Sequence, residues 1–187
     1  MKKLILFWVL LLIIGCDGKE IYFEQPQPAN SEMENIFPKA LQGKYIVDGR
    51  SKNDSIKFHL IINELTYYSG ADDGSSGEKG QLSDSLILKK HKSHYILNYK
   101  EEEGWHAIVI STQNIDKFSA HLIGGAMDAY EVEEIEKLKK TTKVKEVLYS
   151  SGNVDYYLIN PTPKEFKKMV KKKIMFSQAA TFTRVNK

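Results

Sequence analysis

The side chains that could carry chemistry in this 187-residue chain are few: one cysteine, five histidines, scattered serines, an acidic loop and a run of lysines. Cys16 is the only thiol, so no disulfide can brace the fold. It ends an apolar stretch, residues 4–14, that follows Lys2 and Lys3. That stretch is too short for a membrane span of about 20 residues but fits the roughly 7–15-residue core of an export signal. A serine nucleophile would need partners gathered from scattered positions, because no Gly-x-Ser-x-Gly elbow is present. The glycines at 70, 74, 77 and 80 lack the Gly-Lys-Ser/Thr ending that grips phosphate, so nucleotide hydrolysis is not supported.

Metal binding reads no better. His91 and His94 form the one close histidine pair, but residues three apart on a regular strand face opposite sides. Lys89, Lys90 and Lys92 also disfavour a cation there, and the pair reads as solvated hairpin residues. His59 and His121 fall opposite apolar neighbours and read as outward-facing. The loop Asp72-Asp73-Gly74-Ser75-Ser76-Gly77-Glu78 offers hard oxygens but lacks the alternating acids and distal glutamate of a calcium loop. No catalytic residue, cofactor or metal ligand is assigned from sequence. The best charged contact is Lys164, Lys167, Lys168, Lys171 and Lys172, which could meet an anionic surface at about 1 kcal/mol per lysine.

The elements that must position these residues are mainly β with minor α. From Leu41 onward, short segments rich in branched and aromatic residues alternate with Gly, Asp, Asn and Ser. Leu60 and Ile62 share a phase with Phe58. Leu86 with Leu88, Tyr95 with Leu97 and Tyr99, Trp105 with Val109, and Phe118 with Leu122 repeat the motif. An antiparallel meander is expected, closing as a sandwich or small barrel, with one or two short C-terminal helices. The first helix follows Gly125 and buries Val132, Ile135 and Leu138. The second starts at Thr162-Pro163-Lys164-Glu165, where threonine caps, proline opens the first turn and glutamate completes a capping box. Phe166, Met169, Val170 and Ile174 form its apolar stripe, opposite the lysines. Two strands, residues 144–149 and 154–159, separate the helices, and residues 175–185 close the chain as a last strand.

Three domains of organisation follow: an export signal over residues 1–15, a lipid-bearing cysteine and tether over residues 16–40, and a single β-rich unit over residues 41–187. The tether reading rests on three prolines and weak periodicity. Tyr22 and Phe23 suggest that part of it docks, and Ile36 and Phe37 read as the first core residues. Net charge is +3 for the whole chain, which does not imply nucleic acid. Residues 164–187 nevertheless carry eight basic side chains against one acidic one.

Leu12-Ile13-Ile14-Gly15-Cys16 resembles the lipobox of bacterial lipoproteins, which implies that the Cys16 thiol is acylated and becomes the new N-terminus. The lipobox, the Phe23-Glu24-Gln25-Pro26-Gln27-Pro28 tether and Leu41-Gln42-Gly43-Lys44-Tyr45 together resemble small envelope lipoproteins of the Bacteroidota type, as does Leu82-Ser83-Asp84-Ser85-Leu86. This implies a cell-envelope address, with the outer membrane favoured over the inner. Asp17 resembles the inner-membrane retention signal of enterobacterial lipoproteins, and with Glu20 it also resembles an acidic surface-export signal. Leu41-Gln42-Gly43-Lys44-Tyr45 is similar to the Leu-x-Gly-x-Trp opening strand of lipocalin-like domains, with tyrosine replacing tryptophan. Two functions are expected in order: a monomeric, non-catalytic binding or structural module with an envelope-protein partner, then a lipocalin-like carrier. The carrier would hold a small apolar ligand among Tyr45, Phe58, Tyr95, Leu97, Trp105 and Phe118.

Overall fold

The run Trp105-His106-Ala107-Ile108-Val109-Ile110 is buried without interruption, as a strand covered on both faces must be, and the sheet is organised around it. The computed structural model describes residues 19–48, 58–71, 77–125, 132–177 and 179–185; Cys16, the apolar run before it and residues 72–76 of the acidic loop lie outside them. Among the described residues thirteen strands join one sheet. In chain order they are β1 (Glu20–Phe23), β2 (Met33–Glu34), β3 (Gly43–Asp48), β4 (Phe58–Ile62), β5 (Thr66–Ala71), β6 (Gly77–Gln81), β7 (Leu86–His91), β8 (His94–Lys100), β9 (Trp105–Asn114), β10 (Lys117–Ile123), β11 (Val144–Leu148), β12 (Val154–Ile159) and β13 (Ala180–Arg184). Helices α1 (Val132–Lys139) and α2 (Pro163–Lys172) precede β11 and β13.

From β2 the sheet runs through β7, β8, β9, β10, β13, β3, β4 and β5 to its edge at β6. β1, β12 and β11 branch from the start of β9, where Phe23 pairs with Trp105. The sheet curls into a half-barrel, so the mainly β class with two short helices is what the chain adopts. One curled sheet takes the place of a closed barrel or a two-sheet sandwich.

The sheet has a core on each face. Inside the curl lie Tyr45, Leu60, Tyr67, Leu97, Ile108 and Phe118. The other face packs Ile96, Ala107 and Val109 against Ile21 and Phe23 of β1, Leu138 of α1, and Phe166 and Met169 of α2. Neighbours Ile96 and Leu97 therefore serve opposite cores, which requires β8 to be apolar in both phases.

The stretch expected to be a tether is instead part of this architecture wherever it is described. Ile21 and Phe23 are fully buried, and β1 runs parallel to β12 with Ile21 opposite Tyr157 and Phe23 opposite Ile159. Met33 of β2 pairs with Lys89 of β7. Among the described residues the sheet thus includes Glu20–Phe23 as well as the strands that follow Leu41. A four-residue strand followed by prolines has too little alternation to show itself, and its partner lies near the far end of the chain. Gly77 and Glu78, read as loop, likewise belong to the edge strand β6.

Helix α2 forms as its sequence dictates. Thr162 accepts from the Glu165 N–H, the Glu165 carboxylate accepts from the Thr162 N–H at 2.8 Å, and Pro163 opens the first turn. Phe166 and Met169 are fully buried, each contributing roughly 1.5–3 kcal/mol by leaving water.

Candidate functional site

β1 brings Glu20 and Tyr22 beside Glu101, which follows β8, and His106 of β9. The Tyr22 hydroxyl donates to the Glu20 carboxylate and lies 3.3 Å from Glu101 Oε2. That same carboxylate oxygen stands 3.2 Å from His106 Nε2. His106 is fully buried, and its second ring nitrogen, Nδ1, has no hydrogen-bond partner among the described residues. The imidazole is held between two tyrosines, with centroids 4.5 Å from Tyr22 and 4.8 Å from the nearly parallel Tyr99 ring. Burial, the bond to Glu20 and the nearby acids drive the Tyr22 hydroxyl pKa far above the ordinary tyrosine range, so it stays a phenol and a donor.

Tyr99 and Glu101 also line a cleft of about 210 Å³ between the β5–β6 edge and β7–β8. Tyr67 and Glu78 stand across it. Burial raises the Glu78 carboxyl pKa, and Glu78 Oε2 is buried without a hydrogen-bond partner among the described residues. The cleft is lined by both acids, Glu78 and Glu101, by Lys79 and Lys100, and by the rings of Tyr67 and Tyr99.

A second, opposite electrostatic feature lies on α2. Lys164, Lys167, Lys168, Lys171 and Lys172 are all exposed, as the helical period requires once Phe166 and Met169 face inward. None of the five pairs with a carboxylate among the described residues. Lys168, Lys172 and Lys173 face Lys137 and Lys140 across a groove of about 390 Å³ between α2 and α1, whose one acid, Glu134, is 2.8 Å from Lys137. On the other flank, Lys167 and Lys171 crowd Lys92 and hold its ammonium pKa below the ordinary lysine range. Such crowding creates a strong local positive potential.

The six residues proposed from sequence to line a ligand chamber do not converge on one. Tyr45, Leu97 and Phe118 lie inside the curl, Tyr95 packs against them only partly buried, and Trp105 belongs to the opposite core. Phe58 opens β4, and its side chain is outside the described residues. A small space of about 30 Å³ is left among Leu97, Phe118 and their neighbours. Tyr45 donates to Leu41 O at 2.9 Å and packs under Arg184, whereas Leu97 also borders the larger cleft beside Tyr67 and Tyr99.

The histidine readings also change. His91 and His94 are direct cross-strand partners at the β7–β8 turn, so they share a face rather than opposing one another. His94 Nδ1 bonds Ser111 Oγ at 2.9 Å, and His91 packs edge-on to Phe166, 5.9 Å between centroids. His59 is buried rather than outward-facing, and His121 Nδ1 bonds Ser177 O at 3.1 Å. The acid–tyrosine–histidine cluster was not found from sequence, because its members come from β1 and from both sides of the β8–β9 turn with no local spacing. The available signal was His106 inside an otherwise apolar run.

No protein-family model, curated protein or solved structure matches this chain. Among the described residues, no helix is long and apolar enough to cross a membrane.

Proposed function

We propose that this chain is a lipid-anchored cell-envelope protein that acts as a non-catalytic binding module, tethered through Cys16 and docked by α2 against an anionic surface. The observation that carries the reading is the lysine face of α2, exposed in all five positions and continued by α1 into a basic groove. The lipobox-like sequence supports the tether. Acylation would dominate attachment, since each buried acyl methylene contributes about 0.8 kcal/mol, whereas each lysine near an anionic surface adds about 1 kcal/mol. The lysines would therefore orient the domain rather than hold it.

Two experiments test the two parts. In a lipoprotein-processing host, Cys16→Ala should abolish incorporation of labelled palmitate and release the protein from membranes; retained label would refute the anchor. For the docking face, the chain from Asp17 onward is mixed with phosphatidylglycerol vesicles or with phosphatidylcholine vesicles. Preference for the former should fall about 30-fold when Lys168 and Lys172 both become glutamine, as two losses of about 1 kcal/mol require. Equal binding to both vesicle types would discard the surface role.

A further inference from the structure

We propose that Glu20, Glu101 and His106 form a binding site for one divalent first-row transition cation, bound through a carboxylate oxygen of each glutamate and one imidazole nitrogen. Three donor atoms from these residues lie within 4.8 Å of one another. Ligands of a tetrahedral ion with bonds near 2.1 Å stand about 3.4 Å apart, so little contraction is needed. The Glu101–His106 pair, at 3.2 Å, already has that separation.

One further observation favours a cation. Among the described residues, neither carboxylate has a lysine or arginine ion pair, although the two approach each other closely; Lys100, next to Glu101 in sequence, lies over the Trp105 ring at 5.8 Å. A ring nitrogen among the donors selects against calcium and magnesium, which take oxygen, and for ions such as zinc, manganese, iron or cobalt.

The surroundings suit such a site. Tyr22 and Tyr99 clamp the imidazole, and the Tyr22 phenol orients Glu20 as an outer-layer donor. Glu101 opens onto the cleft it shares with Tyr99, which supplies an entry path for the ion and for a further ligand.

The test uses the full chain in detergent, stripped with a chelator and loaded with Zn²⁺ or Co²⁺ alone. After gel filtration it should retain one equivalent of metal, melt at a higher temperature than the stripped protein and, with Co²⁺, show the visible absorption of a low-coordinate site. Glu101→Gln should weaken binding by at least about 100-fold, since even outer-layer partners of metal ligands cost about 10–100-fold. Should that variant fail to fold, Glu20→Gln, at the partly exposed start of β1, replaces it; its metal-free melting temperature confirms folding. Substituting both His91 and His94 with glutamine should leave the stoichiometry at one. The proposal is overturned by a folded wild-type chain that retains no metal. It is equally overturned by retention unchanged in Glu101→Gln and Glu20→Gln, or lost only when His91 and His94 are replaced.

Discussion

Asn98 and Gln27, both fully buried, bond each other as two strands would: the Gln27 N–H donates to Asn98 Oδ1 at 2.7 Å, and Asn98 Nδ2 donates to Gln27 O at 2.8 Å. A side chain thus replaces a backbone ladder and holds the segment between β1 and β2 against β8. Lys89 reinforces it from β7, its Nζ donating to Pro26 O at 3.1 Å and Pro28 O at 3.0 Å. Asn98→Leu keeps the volume but leaves the Gln27 N–H and C=O without partners. At about 1–3 kcal/mol for each of the two orphaned groups, the expected loss is roughly 2–6 kcal/mol, or about 4–24 °C in Tm for a domain of this size. A thermal melt within about 2 °C of wild type would show that this clamp contributes little.

Acid should weaken the fold through His91 and His94. Burial lowers the pKa of both, and His94, Lys92 and Lys167 depress His91 further. The unfolded chain titrates near pH 6.5 while the folded groups titrate below it, so between those values the unfolded state binds more protons. Stability is therefore unaffected above about pH 6.5 and declines as pH falls from there through the folded pKa values. Urea melts at pH 7.5 and 5.5 check this: replacing both histidines with glutamine should shrink the difference, and Lys167→Gln should shrink it in part. An unchanged difference in both variants would place the acid sensitivity elsewhere.

How much of this was legible depended on whether the signal was local. Thr162, Pro163 and Glu165 announce α2 within four residues, and the structure forms the capping box they specify. Strands β4, β7, β8, β9 and β10 were legible because apolar residues recur in one phase and turn residues follow, whereas Gly77 and Glu78 of β6 were read as loop. β1 was not, because its stability comes from lying parallel to β12 with Ile21 and Phe23 sunk into a core assembled from both ends of the chain. The same non-locality hid Glu20, Glu101 and His106. The lysine face was readable because helical period alone sets it, whereas its continuation by Lys137 and Lys140 needed the packing of α1 against α2.

Edge strand β6 has little of its own to pack, and its glycines are covered by aromatic rings from β5. Gly80 pairs with Tyr67, and a methyl group at Gly80 would come 2.1 Å from a Tyr67 ring carbon. Gly80→Ala must push that ring away from its place between the cleft and the inner core. An overpacking cost of about 1–3 kcal/mol is expected, read as a lowered urea midpoint with an unchanged slope. A neutral result would mean that β6 itself shifts outward, and hydrogen exchange at β6 would then rise while that of β5 stays fixed.

Helix α2 links the outer core to the basic surface, so its two faces should fail differently. Phe166→Ala removes a fully buried ring that packs edge-on against Phe23, 6.1 Å between centroids, and should cost about 3–5 kcal/mol. Thr162→Ala breaks only the cap and should cost about 1 kcal/mol. Neither change touches a lysine. A folded Thr162→Ala chain should therefore keep its preference for anionic vesicles, while Lys168→Gln with Lys172→Gln loses it and keeps its Tm. Salt separates the same two contributions, since the screening length falls from about 8 Å at physiological ionic strength to about 3 Å at 1 M. Vesicle binding through the lysine face should collapse over that range while the thermal melt changes little. A vesicle affinity insensitive to salt would mean that apolar contact, not the lysines, draws the domain to the surface.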